Sequence, residues 1–184
     1  MRIHDWKPED LTPAQRRVHD AIVAGPRGRV EGPLRVWLLS PALAERAQEL
    51  GAFCRYHTKL PPRLSELAIL VTGAFWKAGF EWHVHAPIAR EAGVPAEAIE
   101  ALRLGKEPRF ANADEAAVYA FSRELWTERR VSDATYRRTA QLLGDETTVE
   151  LVGILGYYGL ISMTINAFEV PLPLGVDQPF ATLT

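Results

Sequence analysis

From Val149 to Phe168 the chain carries one charged residue, Glu150, and any fold open to it must give that stretch an apolar environment. The run approaches the length a helix needs to cross a bilayer. Two features argue for burial in protein instead. No Lys or Arg flanks either end, and Gly153, Gly156 and Gly159 punctuate the run, with Thr164 and Asn166 adding polarity near its end. It therefore reads as a helix buried inside a globular protein or between subunits, with no membrane partner. Three glycines at three-residue spacing drift slowly around a helix and allow another backbone to approach closely.

Elsewhere helix signals recur and strand signals are poor. Thr12-Pro13 pairs a cap with a proline at the first helical position, Ala14, Val18 and Ile22 follow at helical spacing, and Gly25-Pro26 ends the element. Ser40-Pro41 repeats the start, and Leu43, Ala47, Leu50 and Cys54 are expected to line its buried face. Pro61-Pro62 opens a helix running to Lys77. Gly79 separates it from another that ends before Gly93 and is kinked at Pro87. Further helices follow Pro95, Asp114 and Ser132, with Ala117, Val118, Phe121 and Leu125 and then Tyr136, Ala140 and Leu143 facing inward. The loop 106–113 is a candidate hinge or lip over a pocket. Pro171, Pro173 and Gly175 leave the tail extended, on a neighbour or on solvent. The fold class expected is all-α, with the long apolar helix in the middle.

At 184 residues this is one domain with room for a sizeable core. Twenty-one basic against 23 acidic residues give a net charge of −2, and no basic stripe with interleaved aromatics supports a nucleic-acid partner. Arg27 and Arg29, in Gly25-Pro-Arg-Gly-Arg-Val-Glu-Gly32, read as a solvated loop rather than a phosphate clamp. The single Cys54 rules out an internal disulfide. It fits a reducing, cytoplasmic setting, as does a polar start, Met1 to Lys7, that is no secretory signal. On its apolar stripe Cys54 reads as a small buried hydrophobe.

The stretch from Glu66 to His85 differs from the other polar positions. Glu66 begins a run so apolar that it must be mostly buried, and a buried carboxylate needs a partner. Glu81 and His85 stand four residues apart, on one helical face. A carboxylate beside an imidazole orients the ring and raises its basicity, as general acid–base work requires. Ala78 and Ala89 leave room for a groove on that face, and Trp76 and Trp82 offer flat apolar walls. Spacing alone favours an ordinary surface pair and a capped carboxylate over a catalytic pair. His83 and His85, two apart, point to opposite sides of a helix and would not share an ion. Glu66, Glu81 and His85 could, but no recognisable metal motif surrounds them. Phosphate-loop, nucleophile-elbow and dinucleotide fingerprints are absent.

These residues resemble the carboxymuconolactone decarboxylase family, which includes the alkylhydroperoxidase-D-like proteins. The resemblance rests on Arg63-Leu-Ser-Glu66-Leu-Ala-Ile-Leu, Glu81-Trp82 and His85, Ala89 and Ala92-Gly93, Asp114-Glu-Ala-Ala-Val-Tyr119, and Leu155-Gly-Tyr-Tyr-Gly159 through Asn166 to Pro173. It covers roughly 33–173, leaving 1–32 as an N-terminal helical extension and 174–184 as an extended tail. It implies an alkylhydroperoxidase-D-like helical bundle and a homo-oligomer, a trimer or hexamer or else a dimer. In the peroxidase branch a glutamate, a Cys-x-x-Cys pair and a histidine form the site. Here Glu66 and His85 take the outer positions, and the cysteine positions are Ala78 and Glu81. Thiol chemistry needs an attacking and a resolving sulfur, so peroxidase activity is not expected.

What remains is similar to the decarboxylase-like branch, implying a lyase of aromatic-compound breakdown that acts on a small carboxylated lactone without cofactor or metal. His85, oriented by Glu81, would move the proton. Glu66 would position that network, and Arg63 or His83 would meet the substrate carboxylate. Two other readings predict different outcomes: a non-catalytic binding or scaffold protein with His85 in a closed core, and a metal-dependent hydrolase or oxygenase using Glu66, Glu81 and His85.

Overall fold

The computed structural model describes residues 1–3 and 6–180, and among them every regular element is a helix. A 3₁₀ turn, Pro8–Asp10, precedes α1 (Pro13–Ala24), α2 (Pro33–Trp37), α3 (Pro41–Tyr56), α4 (Pro62–Trp76), α5 (Gly79–Glu91), α6 (Ala96–Arg103), α7 (Ala113–Glu128), α8 (Asp133–Leu143) and α9 (Asp145–Phe168). The boundaries follow local chemistry. At the head of α1 the Thr12 hydroxyl accepts from the Gln15 amide and the Thr12 amide donates to the Gln15 side chain, closing a capping box. Ser132 caps α8 through the Thr135 amide. Lys77, at φ 49°, ends α4 in the left-handed conformation and turns the chain into α5.

The centre of the bundle is shared by α4 and α9. Residues 64–73 of α4 are buried without a break, and the helix packs on α5, α7 and α9. A helix exposed on no side has no amphipathic pattern, which is why this stretch reads as a continuous apolar run. By length and composition α9 could cross a bilayer. Here its Leu151, Ile154, Leu155, Tyr158, Ile161 and Ile165 enter the core. The three glycines do different things. Gly159 receives the Trp126 indole, 2.7 Å from where a Cβ would stand, whereas Gly153 and Gly156 face open space. With Val149, Val152 and Met163 they leave one stripe of α9 uncovered.

Three expectations are corrected. On α3 the inner face is Ala44, Ala47, Gly51 and Cys54, while Leu43 and Leu50 point outward. The helix lies so close to α9 that a Cβ at Gly51 would collide with the Tyr157 ring, so small residues win the interface and the larger ones turn out. On α8 the buried residue is Thr139, and Tyr136 is exposed. The tail lies on its own chain: Phe180 packs edge-on to Trp82 at 5.2 Å, and Arg103 Nη1 donates to the Pro179 carbonyl. The last four residues of the expected tail, 181–184, are outside the described residues.

Residues 1–32 also join this core. Trp6, Leu11, Val18 and Ile22 are buried in the same cluster as α4 and α9.

Arg63 bridges α4 to α7. Its guanidinium pairs with Asp114 at 2.7 Å and with the buried Glu115 at 2.6 Å. Removing one member of a buried pair strands the other charge. Arg63→Ala is expected to lower the unfolding free energy by roughly 3 kcal/mol in urea titration, and an unchanged midpoint would refute the bridge.

Candidate active site

The site is built where α5 folds back along α4 and both meet α9. Glu66 projects from the first half of α4, and Glu81 and His85 lie one turn apart on α5. His85 Nδ1 is 2.7 Å from Glu66 Oε2, and Nε2 is 3.0 Å from Glu81 Oε1. All three side chains are buried. Tyr158 of α9 closes the ring face, edge-on at 5.1 Å.

Both ring nitrogens face carboxylate oxygens, which accept hydrogen bonds when ionised, so the doubly protonated imidazolium is the form that satisfies both sides. Burial alone pushes the imidazole pKa down. The combined pull of Glu81 and Glu66 outweighs it and raises the pKa from 6.5 to about 9. The two contacts are not equivalent. Glu66 makes an aligned hydrogen bond, whereas Glu81 Oε1 stands off the N–H direction and, though buried, has no hydrogen-bond partner. One carboxylate anchors the ring, and the other keeps a hydrogen-bonding valence open.

Beside the pair lies a cavity of about 370 Å³. Glu81, His83 and His85 reach it from α5, Tyr157 and Tyr158 from α9, and Arg55 and Tyr56 from α3. The loop after α1 contributes Arg27, Arg29 and Glu31. Glu66 does not line the cavity and lies behind the imidazole.

Some of the residues expected at the site lie elsewhere. Arg63 is committed to Asp114 and Glu115. Trp82 packs under Phe180, and Trp76 packs against Phe75 and Trp126. Neither tryptophan lines the cavity, whose aromatic walls are Tyr56, Phe80, Tyr157 and Tyr158. Ala78 and Ala89 are wholly buried and open no groove. The loop 106–113 borders other hollows, beside α7, rather than this one.

The arginines are the part that the sequence reading missed. Arg27 is half-buried, while Arg29 stays exposed and pairs with Glu31; Gly32, at φ 54°, leaves no side chain where the Phe80 ring sits. Two glycines bracketing alternate arginines were the available signal, but only the fold shows which way the loop points. Cys54 is buried and outside the cavity wall. Desolvation pushes its thiol up to about 11, Arg27 pulling weakly the other way.

Among the described residues no cluster of three or more His, Cys, Asp and Glu side chains has metal-binding geometry. Glu66 and Glu81 lie on opposite edges of the His85 ring, so the three do not converge on one point, and the site does not fit the metal reading.

An all-helical bundle with a buried carboxylate–imidazole–carboxylate relay open to a small cavity defines the class. Residues 41–124 match the sequence profile of the carboxymuconolactone decarboxylase family. The fold of the chain is alkylhydroperoxidase-D-like. The structure is similar to that of a cysteine-to-alanine variant of the debrominase Bmp8 in complex with 2,3,4-tribromopyrrole, with a TM-score of 0.74 and 16% identity over 95% of this chain and 92% of that one. It is also similar to an uncharacterized peroxidase-related protein from Silicibacter sp. TM1040, with a TM-score of 0.72 and 11% identity over 93% and 90% of the two chains. Comparison with curated protein sequences finds no match.

A histidine whose pKa is raised by folding binds more protons in the folded than in the unfolded state between the two values. Its stabilisation is complete below about pH 6.5 and is lost as pH rises through about 9. Wild-type unfolding free energy should therefore fall by a few kcal/mol across that window, and His85→Gln should lack this slope. A His85 resonance titrating near 6.5 in NMR would overturn the assignment.

Proposed function

We propose that this protein is an acid–base enzyme of the decarboxylase-like branch, a lyase acting on a small carboxylated lactone or a related product of aromatic-compound breakdown. The observation that carries the reading is the His85 imidazolium held between Glu66 and Glu81, with His85 and Glu81 both lining the cavity. The ring stores a proton at neutral pH, and Glu81 is placed to pass it to a bound molecule.

In the reaction the bond from the substrate carbon to its carboxylate breaks and carbon dioxide leaves. The electron pair moves into the conjugated lactone carbonyl, giving an enolate. His85, through Glu81 or directly, returns a proton to carbon and is reprotonated from water. Burial of the relay keeps that proton from exchanging freely. Glu66 acts through His85 as a positioning residue, holding the tautomer and the ring plane. His83, on the cavity wall, is free to meet substrate.

A thiol reaction has one thiol available in the sequence, Cys54, which is buried and away from the cavity. The binding-protein reading required a closed core around His85, and the open cavity favours an enzyme. The uncovered apolar stripe of α9 and the outward Leu43, Leu50 and Phe53 of α3 support a homo-oligomer.

A panel of carboxylated lactones, followed by ultraviolet absorbance, tests the proposal. Turnover of at least one member is expected in wild type and in Cys54→Ala, with a fall of about 10²-fold or more in His85→Ala and Glu81→Gln. Full turnover in His85→Ala, with the protein folded, refutes the relay as the catalytic device.

A further inference from the structure

We infer that Arg27, Arg55 and the Tyr157 hydroxyl form an anion clamp that holds the substrate's carboxylate, so that the segment before the family-matched region completes the active site. The inference rests on reading the cavity as the acid–base site.

Two arginines face the cavity without a carboxylate partner. Arg29, on the same loop, pairs with Glu31 at 2.8 Å. Among the described residues neither Arg27 nor Arg55 lies within ion-pair distance of an acidic group, although both are half-buried and line the cavity. Unpaired cations are seldom left half-buried, because each loses hydration without a compensating charge. The Nε of Arg27 is fully buried and has no hydrogen-bond partner.

The neighbouring hydroxyl is aimed in the same way. Arg27 Nη2 donates to Tyr157 Oη at 3.2 Å, so the phenol accepts from the cation and keeps its own proton for another acceptor. Burial pushes the Tyr157 phenol well above its ordinary range, and the Arg27 charge opposes this only in part. The group is thus a neutral donor at any working pH. Gly51 makes room for the pair, since a Cβ there would collide with both the Tyr157 hydroxyl and Arg27.

The buried Arg27 N–H, the Tyr157 O–H and the Arg55 guanidinium are all donors, and a planar oxyanion is the ligand that arginine donors suit best. Tyr157 and Tyr158 are adjacent rings, 5.2 Å apart, and Tyr158 covers His85. A small molecule with a carboxylate at the clamp therefore reaches the relay with its other end.

The test measures binding of sorbate, a conjugated monocarboxylate, and of sorbamide, its uncharged counterpart, by NMR titration. Wild type should bind sorbate about tenfold or more tightly than sorbamide, with a gap that narrows in added salt. Arg27→Gln and Arg55→Gln should each shrink the gap, and Arg27→Lys should keep part of it. Equal or absent binding of the two probes by wild type overturns the clamp, as does a gap that survives both glutamine variants. His85→Gln separates this from the reading beneath it. The gap should persist there while turnover is lost, and a gap that vanishes with His85 overturns the clamp as a separate subsite.

Discussion

An imidazolium held between two buried carboxylates is costly to make and hard to break. Each charge has left water, and they are tolerated because both carboxylates stand within 3.0 Å of the imidazolium. The arrangement needs α4 and α5 locked together, since Glu66 comes from one and Glu81 with His85 from the other. It also needs α9 against both, because Tyr158 shields the ring. The left-handed Lys77 and the short turn into Gly79 set the reversal that brings the two helices into this contact. The long buried stretch of α4 then serves two ends, filling the core and carrying a carboxylate into it.

The cavity side is organised by close approach rather than by bulk. Gly51 lets α3 come down on Tyr157, and Gly32 lets the loop after α1 close on Phe80. Both contacts draw arginines toward a space whose other wall is the relay. The consequence is an electrical polarity across a small volume, with cations at one wall and a proton-holding pair at another. The apolar surface displaced by these approaches reappears outside, as the outward leucines of α3 and the uncovered stripe of α9.

Much of this organisation is legible along the chain because it depends on neighbours in sequence. Caps and prolines mark where the helices begin, and the four-residue step from Glu81 to His85 places both on one face. The carboxylate at the head of an apolar run announces that Glu66 is buried and needs a partner. Which face of α3 turns inward was not legible, because Leu43 and Leu50 are as apolar as any core residue and only the tight seat at Gly51 excludes them. Trp76 and Trp82 look like pocket walls in sequence and are consumed by packing against Trp126 and Phe180. Arg63 beside Glu66 looks like a site residue, but its partners are on α7.

The sequence by itself determined the helical class, the helix starts and the polar trio, since each follows from periodicity, capping and the cost of an unpaired buried charge. The tertiary structure alone decided which carboxylate anchors the imidazole and which faces the cavity. It alone turned Arg27 of the loop after α1 inward. Both outcomes depend on side chains far apart in the chain meeting at short range, and no local pattern encodes the orientation in which they meet.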